Sequence, residues 1–175
     1  MTLTFDFATD TDTDIAALTA LHSAVAGHLT REYGDGPWSS SASETSVRRG
    51  VTTSKVIVAR DADGIAGTLR LTPRKPLSID RTCFTRVDRP LYLVDMAVRP
   101  SIQRSGVGRS LLSEAVRVAI AWPAQALRLD AYDAAAGAGG FYATCGFREA
   151  GRAAYRKVPL IYYERLLDAP GGPKT

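Results

Sequence analysis

Midway along the chain, residues Leu91 to Val98 read LYLVDMAV, an apolar run interrupted by one carboxylate, Asp95. Such a run, without polar alternation, suits a strand buried on both faces, as in the middle of a sheet. Seven residues follow, 99-RPSIQRS-105, and then Gly106-Val107-Gly108. From there Val107, Leu111, Leu112, Ala115, Val118 and Ala119 recur at helical spacing until Pro123 stops the pattern. Another apolar run, 126-ALRLDAY-132, comes next. A strand, a crossover helix and a second strand place the two strands in parallel in one sheet.

The flanking sequence decides what kind of sheet this is. Residues 2–7 alternate like an edge strand, and Ile15, Leu18, Leu21, His22, Val25 and Leu29 form a helical stripe over 13–29, with Thr13 as N-cap. A Gly- and Pro-bearing loop over 31–44 leads to a second helix over 43–52, capped by Ser43. The runs 55–61 and 65–73 flank Ala62-Asp63-Gly64, a strong hairpin signal. Past the crossover lie a short helix over 139–147 closed by Gly146, and strands near 147–153 and 158–167. The order β, α, α, β, β, β, α, β, α, β, β predicts an α/β (α+β) fold. Its central sheet is mixed and mostly antiparallel, with about seven strands flanked by about four helices. One domain is expected over 1–167, with a disordered tail at 168–175.

Composition excludes several classes. A net charge of +4, carried mostly by scattered arginines, is too mild and too dispersed for a nucleic-acid surface. No run of 18 apolar residues is present, and the acidic N-terminus lacks the features of a signal peptide. Cys83 and Cys145 do not have disulfide-framework or metal-site spacing. The expectations are a cytoplasmic protein without metal, nucleic-acid or membrane partners.

Two glycines ahead of a helix suggest an anion site. A dinucleotide fingerprint would place its glycines directly after the first strand and add a third; here position 111 is Leu111 and the unit lies past mid-chain. No Gly-Lys-Ser/Thr follows, which removes the P-loop. What remains is a loop whose backbone N–H groups face an anion at the helix N-terminus, with Arg104 and Arg109 nearby. The hexapeptide Gln103-Arg104-Ser105-Gly106-Val107-Gly108 resembles the Gln/Arg-x-x-Gly-x-Gly/Ala signature of the GCN5-related N-acetyltransferase (GNAT) family. Residues 91–100 look like that family's central strand, 141-FYATCGF-147 is similar to its Phe-Tyr signature, and 158–166 resembles its closing strand.

The resemblance covers roughly residues 3–167 and implies a GNAT-like acyl-CoA N-acyltransferase fold with acetyl-CoA as acyl donor. It implies that Gln103, Arg104, Ser105, Gly106, Val107, Gly108, Arg109 and Ser110 hold the pyrophosphate, and that Met96, Ala97 and Val98 hold the pantetheine arm. Tyr142 falls where relatives carry a tyrosine near the thiol, as general acid; packing of its ring beside Phe141 and Phe147 is the alternative. Asp95, or a water it orients, is the candidate base, against an ion pair with Arg70 or Arg99; Tyr92 and Glu32 are further candidates. Glu32 and Trp38 are candidates for binding the acceptor, a small-molecule or peptide amine. His22 and His28 read as core or surface residues. Where relatives often carry a cofactor-contacting Asn this chain has Ala135, with Asp130 or Asp133 as possible substitutes. A homodimer is compatible with the fold, and a non-catalytic acyl-CoA-binding domain is the alternative function.

Overall fold

The computed structural model describes residues 2–167; the segment 168–175, expected to be a disordered tail, lies outside them. The elements follow the expected order: β1 Thr4–Phe7, α1 Asp12–Tyr33, α2 Glu44–Thr53, β2 Lys55–Asp61, β3 Gly64–Thr72, β4 Pro90–Val98, α3 Val107–Ala121, β5 Ala126–Tyr132, α4 Gly139–Thr144, β6 Arg148–Tyr155 and β7 Val158–Leu166. The strands form one mixed sheet in the order β1-β2-β3-β4-β5-β7-β6. β4 and β5 run parallel, while β1/β2, β2/β3, β5/β7 and β6/β7 are antiparallel. Two compact units interleave along the chain, residues 2–71 with 95–115 and residues 72–94 with 116–167.

In the first unit, α1 buries Ile15, Leu18, Leu21 and Ala26, and Leu18 clusters with Val56 and Val58 of β2. The cap is Thr11, where sequence periodicity favours Thr13. Thr11 is extended, and its hydroxyl accepts the Asp14 N–H at 3.3 Å. That start leaves Asp12 and Asp14 in the first turn, where the helix dipole favours carboxylates. The helix also runs beyond Leu29 to Tyr33, because Thr30-Arg31-Glu32-Tyr33 contains no breaker; Gly34, at φ 78°, ends it. The β2–β3 turn pairs Asp61 with Gly64, as the Asp-Gly signal indicates. Gly67 of β3 marks a close approach. A Cβ there would sit 2.8 Å from Leu111 Cδ1 and 3.0 Å from the Ala97 carbonyl oxygen, so a side chain would force α3 and β4 outward.

In the second unit, β5, β7 and β6 carry a buried charge cluster on one face. Glu164 is fully buried and its carboxylate accepts from Arg128 Nε at 3.1 Å and Arg148 Nη2 at 2.6 Å. It also accepts from the Thr85 hydroxyl at 2.7 Å and the Thr85 N–H at 3.3 Å. Arg128 donates in turn to the Thr85 carbonyl and lies over the Phe84 ring. The connection between β3 and β4 is thereby tied to β5 and β7. Tyr162 adds a second tie by donating to the Ser78 carbonyl at 2.5 Å. Removing the carboxylate would strand the buried Arg128 charge. Glu164→Ala is therefore expected to lower stability by about 3–5 kcal/mol, measured by urea unfolding; a loss under 1 kcal/mol would contradict this account of the cluster.

Candidate functional site

The site is built around a kink in β4. The parallel ladder with β5 joins Pro90–Tyr92 to Ala126–Arg128, and β4 then continues to Val98. Within that continuation Asp95 has φ 54°, the left-handed region that a non-glycine residue seldom occupies. Aspartate tolerates this conformation better than most residues, at a cost of roughly 1–3 kcal/mol. Its Oδ2 accepts from both Nε and Nη2 of Arg70, each at 2.8 Å. Arg70 is braced in turn by α2. A Cβ on Gly50 would lie 3.3 Å from Arg70 Cδ, and Arg70 Nη1 reaches the Ser54 hydroxyl at 3.5 Å.

Of the two roles open to Asp95 in the sequence, the ion pair with Arg70 is present. Arg99 is engaged elsewhere, since its Nη2 donates to both oxygens of Asp61 at 2.8 Å and its Nη1 lies 3.5 Å from Asp63. Arg99 therefore anchors the β2–β3 hairpin.

Beyond the kink, Ala97 is buried and Met96 and Val98 are half-buried. The Gln103 side-chain amide donates to the Val98 carbonyl at 3.2 Å, closing the loop back on the strand. A short 3₁₀ turn at Pro100–Ile102 follows, and the Ser105 hydroxyl donates to the Ile102 carbonyl at 2.6 Å. Arg104 (φ 64°) and Gly106 (φ 95°) are both left-handed, and such residues turn successive N–H groups toward one side. The first bond of α3 runs from the Ser110 N–H to the Gly106 carbonyl at 3.0 Å. By helix geometry the N–H groups of Val107, Gly108 and Arg109 precede that ladder. Val107 is buried and anchors the turn, while Arg104, Ser105, Gly106 and Arg109 are exposed. The positive end of a helix beside two exposed arginines is suited to a pyrophosphate.

In the second unit, Tyr142 lies in α4 with its ring 5.4 Å from Phe141, 6.0 Å from Phe147 and 5.9 Å from Tyr163. Burial pushes its phenol above the ordinary value, and the Asp130 carboxylate adds to the effect, so the proton stays on at neutral pH. Gly139 makes room for α4 here, as a Cβ would come within 2.7 Å of the Tyr163 hydroxyl.

A family model for the acetyltransferase (GNAT) domain matches residues 52–149, more than half of the 175-residue chain. The chain belongs to the GNAT family.

Solved structures agree at the level of the fold. The chain is similar to yncA of Salmonella typhimurium, solved with its cofactor acetyl-CoA, at TM-score 0.70 and 17% identity, covering 99% of each chain. It is similar to the ribosomal-protein-S18-alanine N-acetyltransferase of Escherichia coli at TM-score 0.70 and 16% identity, again over 99% of each. An N-acetyltransferase of Staphylococcus aureus Mu50 matches at TM-score 0.70 and 15% identity, over 96% of this chain and 100% of that one. No curated protein sequence matches the chain.

Other sequence candidates of this GNAT domain fall into varied places. Ala135 is exposed, and the Asp133 carboxylate accepts from Arg152 Nη1 at 2.9 Å, so Asp133 is tied to β6. Glu32 sits in the last turn of α1, not in the following loop, with its Oε2 3.1 Å from His28 Nε2. Trp38 folds back on its own loop, its Nε1 donating to the Gly34 carbonyl at 3.0 Å; a Cβ on Gly36 would lie 2.5 Å from its ring. Tyr92 is buried and its hydroxyl lacks a hydrogen-bond partner.

One GNAT residue acquires a context that sequence reading missed. His22, on the inner stripe of α1, is half-buried, and its imidazole feels both Asp95 and Arg70. Burial lowers its pKa, Asp95 opposes that shift and Arg70 adds to it. A histidine on an otherwise apolar stripe was the available signal. Among the described residues, no cluster of His, Cys, Asp and Glu could hold a metal ion, and no helix is long and apolar enough to cross a membrane.

Gly106→Val would place a β-branched residue at φ 95°, and if the strain of about 1–3 kcal/mol is relieved by distorting the loop, acetyl-CoA affinity should fall by about 5- to 150-fold. Calorimetric titration of the folded variant is the measurement, and unchanged affinity would refute the assignment.

Proposed function

We propose that the protein transfers the acetyl group of acetyl-CoA directly to an amine acceptor within a ternary complex. The observation that carries this reading is the backbone cradle made by left-handed Arg104 and Gly106 leading into the N-terminus of α3, beside the exposed Arg104 and Arg109 side chains, in a chain of the GNAT family. Acetyl-CoA would supply an activated thioester, and the phosphates that such a cradle suits.

Each residue then has a task. The backbone of Met96, Ala97 and Val98 binds the pantetheine arm and offers an N–H to the carbonyl, where negative charge develops. Gln103 fixes the start of the cradle through the Val98 carbonyl. An alkyl amine with a pKa of about 10.4 is neutral in only about one molecule in 10³ at pH 7, so its proton has to be removed at a cost on the order of 4–5 kcal/mol. Asp95, left-handed in β4, is the carboxylate assigned to that task in this reading. Because Arg70 clamps its Oδ2, orienting a water or another group suits it better than acting alone. Tyr142 retains its proton at neutral pH and serves as the acid for the departing thiolate. Small-molecule and peptide amines are the acceptor class, with Glu32 and Trp38 at the end of α1 and the loop after it as contributors to binding.

The test is coenzyme A release with a panel of primary amines, for wild type and Tyr142→Phe. The variant should lose about 10²-fold or more in kcat, the usual share of a general acid, with acetyl-CoA affinity retained. Acetyl-CoA binding without turnover of any amine would instead favour the non-catalytic acyl-CoA-binding reading, and full activity of Tyr142→Phe would remove the tyrosine from the mechanism.

A further inference from the structure

The loop between β4 and α3 is held to the β2–β3 hairpin at its first residue, Arg99. The Arg99 N–H donates to the Ala66 carbonyl of β3 at 2.9 Å. The Arg99 carbonyl accepts from the Ile102 N–H at 3.0 Å, which starts the 3₁₀ turn at Pro100–Ile102. The guanidinium reaches farther. Its Nη2 donates to both oxygens of Asp61, each at 2.8 Å, and its Nη1 lies 3.5 Å from Asp63 Oδ2.

Asp61 is the last residue of β2, and its Oδ1 also accepts the Asp63 N–H at 2.9 Å. One carboxylate therefore shapes the hairpin turn and grips the start of the loop. The Asp61 side chain is 7% exposed and that of Asp63 is 82% exposed. Solvent weakens an exposed pair far more than one shielded from water, so Asp61 is the partner that fixes Arg99. Arg99 in turn holds the Asp61 carboxyl below its ordinary range, and both groups are charged at neutral pH.

We propose that Asp61 and Arg99 are positioning residues for cofactor binding, their ion pair setting the pose of the loop before α3 and with it the affinity for coenzyme A. The proposal rests on the acetyl-transfer reading above, in which that loop receives the cofactor. The connection is short. From Arg99 it runs through the turn at Pro100–Ile102 to Ser105, whose hydroxyl donates to the Ile102 carbonyl, with left-handed Arg104 and Gly106 on either side. At the far end, Val107 and Leu111 pack against Gly67 of β3. The loop is thus pinned to one hairpin at both ends, by an ion pair at its start and by packing at its finish.

Without the ion pair, the exposed Asp63 and one main-chain bond to Ala66 are left to hold Arg99. The pose that fits the ligand then becomes one of several. Apparent affinity falls with the fraction of molecules in the competent pose, so a loop correctly placed about one time in ten binds about tenfold more weakly.

The sign of the effect separates this role from plain electrostatics. Coenzyme A is an anion, and Asp61 carries negative charge. If Arg99 served as a positive charge for the phosphates, removing the Asp61 carboxylate would free it and tighten binding. The positioning role requires the reverse.

The test is calorimetric titration with coenzyme A of the wild type, Asp61→Asn, Arg99→Gln and the double variant, each first shown to be folded by its thermal melt. Each single variant should bind about tenfold more weakly. The double variant should bind no more weakly than the worse single one, because both changes remove the same tie. With an amine of the panel as acceptor, KM for acetyl-CoA should rise in proportion while kcat stays within about twofold, a split that general loosening of the fold would not give. Unchanged or tighter coenzyme A binding by Asp61→Asn overturns the positioning role, and so do losses that add in the double variant. Absence of coenzyme A binding in the wild type would instead remove the acetyl-transfer reading itself.

Discussion

The clamp of Arg70 on Asp95 is the constraint on which the site depends. A left-handed aspartate in the middle of a strand is unfavourable by itself, and two 2.8 Å bonds to one carboxylate oxygen hold it in place. The kink falls beyond the three residue pairs that bind β4 to β5, just ahead of Met96, Ala97 and Val98. The same guanidinium leans on α2 through Gly50 and on Ser54 at its C-cap, so the kink is supported from the helical layer as well as from β3. The strain in β4 is thus offset by contacts from elements far apart in sequence. A strained residue held by its surroundings is a common companion of function.

The loop after β4 works on a different principle. Its shape is held by side-chain bonds to its own backbone, Gln103 on the Val98 carbonyl and Ser105 on the Ile102 carbonyl, and by Val107 buried beneath the turn. The first turn of α3 begins directly behind this loop, beside the exposed side chains of Arg104 and Arg109. Gly67 completes the support, because it alone lets Leu111 and the Ala97 carbonyl approach β3 so closely. The shape of this loop rests on backbone conformation, with Arg104 and Gly106 left-handed, as much as on any one side chain.

Much of this was legible in the sequence, and the exceptions share a cause. The strands and helices follow from periodicity and from Gly and Pro punctuation, and the α3 loop from two glycines at the right distance from an apolar strand. The Glu32 placement was not legible, since Thr30-Arg31-Glu32-Tyr33 prolongs α1 without adding to its apolar stripe. Neither was the choice of Arg70 over Arg99 as the partner of Asp95, because pairing of residues distant in sequence is decided by tertiary packing. The left-handed backbone of Asp95 and the context of His22 are of the same kind. Trp38 carried no local signal that its ring would close over Gly36.

The central claim is that backbone N–H groups at the start of α3 hold the phosphates of acetyl-CoA. The most direct measurement is a titration of the ¹⁵N-labelled protein with coenzyme A, following the backbone amide signals. The account expects the largest shifts at Val107, Gly108 and Arg109, saturating with the binding isotherm. Saturable binding with those three amides unmoved would contradict it.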